Sequence, residues 1–200
     1  MTSILVVCTG NICRSPMAEG FLRDALLRRF GDRVPMVMSA GTMGWSGSPA
    51  SPESVIAAGE RGSDIEGHIA RELTRAMIER ADLIVCMAGE HRDAVGAQLP
   101  EAAVRTFTLK ELVRALEALP PAPAGADIDG LNERVVAAQA VRAQGRGSNP
   151  HDEDISDPLG LPLDTYRAIA WELDEWNGRL MLGLFGAEPG TSGAHAQEAG

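Results

Sequence analysis

Cys8 and Arg14 stand six positions apart in the run Cys8, Thr9, Gly10, Asn11, Ile12, Cys13, Arg14, Ser15, Pro16. Ile4 to Val7 ahead of it are all apolar and read as a strand buried on both faces. Pro16 behind Ser15 reads as the first turn of a helix. A loop between two such elements can turn its backbone N–H groups inward on one anion, with the positive end of the helix aimed at the same point. A thiol held between that helix end and a guanidinium is expected to be a thiolate nucleophile. The electrophile that fits this cradle is the phosphorus of a phosphate ester. Arg14 offers a planar fork that grips two phosphoryl oxygens and follows them into the transition state, which a Lys could match only as a point charge. Ser15 can hydrogen-bond the thiolate and stabilise it as a leaving group. Gly10 and Asn11 suit a tight loop that needs positive φ.

The rest of the chain supplies strands and helices in alternation. A helix with Met17, Phe21, Leu22, Leu26 and Phe30 on its apolar stripe ends at Gly31, and a second strand follows around Val34 to Ser39. A Gly-rich loop bearing Trp45 runs from Gly41 to Pro52, then Ser51 caps a short helix. A helix from Thr74 to Arg80, a third strand over Leu83 to Met87 and a helix over Glu90 to Gln98 come next. Val104 to Phe107 reads as the fourth strand and Leu109 to Leu119 as another helix. Cys86, inside the third strand, reads as a core thiol. Residues 120–154 are rich in Pro, Gly and Ala and read as a partly mobile insertion carrying a short helix near Asn132 to Gln144. A long closing helix ends near Gly186, and residues 187–200, without periodicity, are expected to be a disordered tail. The pattern predicts an α/β fold over 1–186: a single doubly wound domain with a four-stranded parallel sheet covered by helices on both faces.

Composition limits the function classes. The net charge of −10 argues against nucleic acid or an anionic membrane as the main partner, since both require a basic surface. No apolar run approaches the ~18 residues needed to span a bilayer, so no membrane insertion and a cytoplasmic location are expected. Three Cys cannot form a fully paired disulfide framework, which agrees with a reducing compartment.

The run from Cys8 to Pro16, in its strand-to-helix setting, resembles the phosphate-binding loop of the low-molecular-weight protein tyrosine phosphatases at nearly every position. The resemblance extends over most of the first 119 residues and from Asp157 to Gly186. It implies a Rossmann-like sheet and a phosphatase acting on phosphotyrosine in proteins through a phosphocysteine intermediate, with no cofactor and no metal. It implies Cys8 as nucleophile, Arg14 and the loop residues Thr9 to Cys13 around the phosphoryl group, and Trp45 in the cleft wall. Asn11, Ser39 and His68 match the residues that brace the loop. Asp157 of an Asp-Pro pair matches the general acid, although by itself that pair reads as an ordinary turn, just as His68 alone reads as a structural histidine. Cys13 matches a second Cys able to form a reversible disulfide with the nucleophile. A bacterial tyrosine kinase is a partner by the same analogy.

Several positions depart from the family pattern. Leu159 and Gly160 stand where relatives carry aromatic residues. Ala88 and Gly89 follow Met87 where many relatives have Asp, so a polar support is expected to be missing. Asp152, Glu153 and Asp154 precede Asp157, and their charge is expected to help keep a proton on it. Arsenate reduction with an external thiol and non-catalytic phosphate binding are the alternatives. Ile12, where a phosphoarginine-selective branch carries Thr, favours phosphotyrosine.

Overall fold

The computed structural model describes residues 2–43, 45–123, 125–147, 149 and 151–188. Four strands, β1 (Ser3–Cys8), β2 (Met36–Gly41), β3 (Leu83–Cys86) and β4 (Thr106–Thr108), form one parallel sheet in the order β2-β1-β3-β4. β1 is central because its residues are apolar on both faces. Ile4, Val6 and Cys8 belong to one core cluster, while Leu5 and Val7 belong to the other. The period of two thus sends alternate side chains into opposite layers.

The larger layer holds α1 (Arg14–Phe30), α2 (Pro52–Gly59), α5 (Leu109–Glu117), α6 (Leu131–Ala143) and α7 (Leu163–Phe185). The smaller holds α3 (Arg75–Arg80) and α4 (Gly89–Gln98), with a 3₁₀ turn over Pro100–Arg105. The ends follow the sequence signals. Ser51 caps α2 by accepting from the Ser54 N–H, and Thr108 and Glu111 form a reciprocal capping box on α5. Gly31, at φ 59°, stops α1.

Strand boundaries differ from expectation by one or two residues. The second strand begins two residues later than predicted, at Met36, and the fourth begins at Thr106 because Pro100–Arg105 winds as a 3₁₀ turn. The stretch 120–154 contributes α6, whose Leu131, Val135, Ala138 and Val141 are buried against α5 and α7. Of the expected disordered tail, residues 189–200 lie outside the described residues. No described helix is long and apolar enough to cross a membrane.

Candidate active site

The loop after β1 is organised by one buried residue, Asn11. Its φ of 55° is the only positive value at a non-glycine among the described residues, and each polar group it carries is used. Its side-chain amide donates to Ser15 Oγ at 2.9 Å and to Ser39 Oγ at 2.7 Å. Its Oδ1 accepts from the Arg71 N–H at 2.9 Å, its carbonyl lies 2.8 Å from His68 Nε2, and its own N–H points at Cys8 Sγ at 3.3 Å. Ser15, accepting from Asn11, keeps its own proton free to donate to Cys8 Sγ at 2.9 Å. Ser39, also accepting from Asn11, donates to the Glu19 carboxylate. Burial pushes His68 below its ordinary range, so the ring is neutral and donates Nε2–H to the Asn11 carbonyl. Cys8 therefore sits among donors, as a thiolate nucleophile requires.

Gly10 does not adopt the expected positive φ. It is needed for space: a Cβ there would stand 3.1 Å from the Trp45 ring. Gly41, at the end of β2, has the more severe requirement, since a Cβ would meet the Thr9 carbonyl at 2.6 Å and Asn11 N at 3.0 Å. α1 begins directly behind the loop at Arg14, and its N-cap residue Cys13 makes no side-chain capping bond. The free N–H groups of its first turn are left to serve an anion.

Arg14 is 4% exposed and held on three sides. Nη1 donates to the Ile155 carbonyl at 3.1 Å, while Nη2 donates to Thr9 Oγ1 at 3.1 Å and to Asp157 Oδ2 at 2.5 Å. Nε is buried with no partner among the described residues. Cys8, Ile12, Arg14, Trp45, Asp157 and Leu159 line one small cleft, together with Thr9, Gly10 and Cys13. The structure thus gathers thiol, guanidinium, carboxylate and an aromatic wall, although Asp157 is 143 residues from Arg14 in the chain.

The acidic run before Asp157 has partners of its own. Asp152 pairs with Lys110 Nζ at 2.8 Å and with Arg114, and these contacts, Lys110 foremost, hold its carboxyl below the usual range. Glu153 lies 3.5 Å from Arg92. Asp154 accepts from the Gly89 N–H at 2.8 Å, capping α4. Their charges are met by cations and a helix end, and the nearest ion pair to Asp157 is Arg14 itself. Asp154 also answers the support expected to be missing after Met87, because a carboxylate reaches that helix end from the acid segment. Ile155 fixes the same segment to the sheet: its N–H donates to the Met87 carbonyl at 2.7 Å.

Cys13 Sγ is turned to Ser51 Oγ at 3.6 Å and Tyr166 Oη at 3.8 Å, and burial raises its thiol. Cys8, Cys13 and Cys86 are all free thiols, and Cys86 is sealed in β3, where burial raises it further. A relay of disulfides through Cys86 has no geometric support. Sequence reasoning missed Glu19, Gly41 and His91, and it named Asp154 without its role at the start of α4. Glu19 and Asp154 carried no signal because their partners are distant in sequence, and Gly41 was read only as loop. His91, whose Nε2 is 2.9 Å from Thr9 Oγ1, passed as one residue of the helix over Glu90 to Gln98.

Comparison with known proteins agrees with this geometry. The family model described as low molecular weight phosphotyrosine protein phosphatase matches residues 3–137. A probable low molecular weight protein-tyrosine-phosphatase, EpsP, of Ralstonia solanacearum is 43% identical over 110 residues, 55% of this chain and 72% of the relative. A protein-arginine-phosphatase of Geobacillus stearothermophilus is 31% identical over 177 residues, 88% of this chain and 92% of its own. The crystal structure of a low molecular weight protein tyrosine phosphatase from T. tengcongensis superposes with a TM-score of 0.67 at 31% identity, covering 90% of this chain and 98% of that one. With a thiol cradled at the end of β1, an arginine six residues on and a carboxylate across the cleft, the chain belongs to the low molecular weight phosphotyrosine protein phosphatase family.

Proposed function

We propose that this phosphatase hydrolyses phosphotyrosine in proteins, with Cys8 as nucleophile, Arg14 and the loop N–H groups holding the transferring phosphoryl group, Ser15 assisting the thiolate, and Asp157 as acid and then base. The Cys8 thiolate attacks phosphorus, the P–O bond to the aryl oxygen breaks, and Asp157 protonates the leaving phenolate. Water, deprotonated by Asp157, then attacks the phosphocysteine and returns the thiolate. Arg14 brings unused Nε–H to the site, and the Asp157 pair is the contact an incoming phosphoryl group must exchange. Substrate is expected to be a cytoplasmic phosphoprotein, a bacterial tyrosine kinase being the candidate.

The observation that favours an aryl ester over a phosphorylated guanidine is the chemistry of the cleft wall. Ile12, Trp45 and Leu159 are apolar, and among the described residues lining the cleft Asp157 alone carries a carboxylate. A guanidine would bring several N–H groups against a mostly apolar wall with one carboxylate to accept them, whereas a phenyl ring needs no acceptor.

The test is hydrolysis of a phosphotyrosine peptide and of a phosphoarginine peptide by the purified protein without added metal, beside Cys8→Ser and Asp157→Ala. Turnover of the first peptide that vanishes in Cys8→Ser and falls roughly 100-fold or more in Asp157→Ala is expected. Preference for phosphoarginine would overturn the substrate assignment, and binding of vanadate without turnover would overturn catalysis.

A further inference from the structure

α4 presents His91 to the phosphate loop, and this side chain has no part in the mechanism so far. It is 1% exposed. Its Nε2 lies 2.9 Å from Thr9 Oγ1, the same oxygen that accepts from Arg14 Nη2 at 3.1 Å. A guanidinium can only donate, so that contact uses a lone pair of the Thr9 oxygen. His91 Nε2 either accepts the Thr9 proton or donates its own to the second lone pair of the Thr9 oxygen, whose proton then turns to the cleft that Thr9 lines. In both tautomers Nδ1 is buried without a partner among the described residues. The Glu90 carboxylate stands 3.4 Å from Nε2, but at 71% exposure water serves it.

The ring is also neutral. Burial, and next to it the positive charge of Arg14, push the imidazole down to about 4, against the opposing pull of Asp154 and Asp157. A histidine buried with an orphaned nitrogen is a stability cost that an apolar residue would avoid, and such departures concentrate at functional sites.

We propose that His91 is a positioning residue for the phosphoryl-binding guanidinium: its neutral ring orients the Thr9 hydroxyl, and the Thr9 oxygen in turn fixes Arg14 Nη2 in the cleft. The inference rests on the reading of Arg14 as the phosphoryl-binding group. His91 touches no reacting atom and acts only through Thr9. Nη1 is fixed independently by the Ile155 carbonyl, so the pair of anchors sets the plane of the fork. Without the Thr9 anchor the fork rotates about the other, and the loss appears where the oxygens are most spread, in the transition state.

The experiment measures kcat, KM and inhibition by vanadate and by inorganic phosphate for His91→Leu, His91→Gln, Thr9→Val and the Thr9→Val/His91→Leu double variant. His91→Leu should lower kcat/KM roughly tenfold to 100-fold, mostly in kcat, and weaken vanadate by more than it weakens phosphate. His91→Gln, whose side-chain amide can accept from or donate to Thr9 Oγ1 in place of Nε2, should restore most of the loss. In the Thr9→Val background His91→Leu should cost less than about twofold, because the group it acts through is gone. The same cost in both backgrounds, an equal weakening of vanadate and phosphate, or kcat/KM unchanged in His91→Leu would each overturn the proposal. Should His91→Leu fail to fold, His91→Gln against His91→Asn decides: only the longer amide reaches the place of Nε2, and equal activities would refute the role. Arg14→Lys serves as the separate control, since full turnover in that variant would remove the underlying reading rather than this one.

Discussion

The two halves of the active site are held by different physics. The phosphate loop is a closed and buried hydrogen-bond network in which Asn11, Ser15, Ser39 and His68 satisfy one another within the core. The acid segment is held mainly by ion pairs toward the rim of the fold, half-exposed Asp152 on buried Lys110 and on Arg114 and Glu153 on Arg92, with one backbone bond from Ile155 to Met87 and an Asp157 that is 43% exposed. A buried network of neutral groups is worth more than the sum of its bonds and fails as a unit. Ion pairs with at least one partner open to solvent contribute less each and fail one at a time. Cys8 is therefore fixed before substrate arrives, while Asp157 sits on a support that solvent can exchange. That division suits the chemistry, because thiolate attack needs orientation and the proton donor must pass between ester, thioester and water.

The comparison breaks most easily at Asn11. Asn11→Ala removes the centre of the network and places Ala at a left-handed φ, so a stability loss of roughly 2–4 kcal/mol and a fall in kcat/KM beyond about 100-fold are expected. Urea denaturation and steady-state kinetics measure both, and a loss below fivefold would show that the loop does not behave as a unit. Next in size is the pH dependence. His91 has its folded value lowered from 6.5 to about 4, so the unfolded chain takes up this proton first and stability falls as pH drops from about 6.5 through about 4. The shift corresponds to roughly 3 kcal/mol, and His91→Gln should lose that part of the acid slope in denaturation curves run from pH 7 to pH 4. An identical slope in the variant would mean the ring titrates alike in both states.

Smaller effects belong to the acid segment. Asp154→Ala uncaps α4 and loosens the path to Asp157, at about 1 kcal/mol. Its kinetic signature should be selective: up to about tenfold slower turnover of phenyl phosphate, which needs the acid, and little change for dinitrophenyl phosphate, which does not. Equal losses on both esters would mean the cap supports the loop instead. Asp152→Asn should change least, by under about 1 kcal/mol, and the difference from wild type should shrink as salt is raised.

The same contrast explains what the sequence made legible. Cys8, Asn11, Arg14 and Ser15 fall within eight residues, so strand, loop and helix start specify their geometry locally. The strands and helices were readable because their apolar periods are local as well, apart from Val104, which the 3₁₀ turn takes out of the fourth strand. Asp152 and Asp154 find Lys110 and Gly89 over separations of 42 and 65 residues, and no pattern along the chain announces those partners. Gly41 was hidden for another reason: what it must avoid is the backbone of the loop on the neighbouring strand, visible only once β1 and β2 are paired.

The uncapped start of α1 has a thermodynamic consequence. A helix whose first turn lacks a side-chain cap is incomplete as a folding unit, and an oxyanion in the cradle supplies the missing acceptor. Ligand affinity and global stability are then one linked quantity. Vanadate at one hundred times its dissociation constant should add about 2.7 kcal/mol to unfolding, so a melting curve taken against oxyanion concentration serves as a binding isotherm needing no substrate and no turnover.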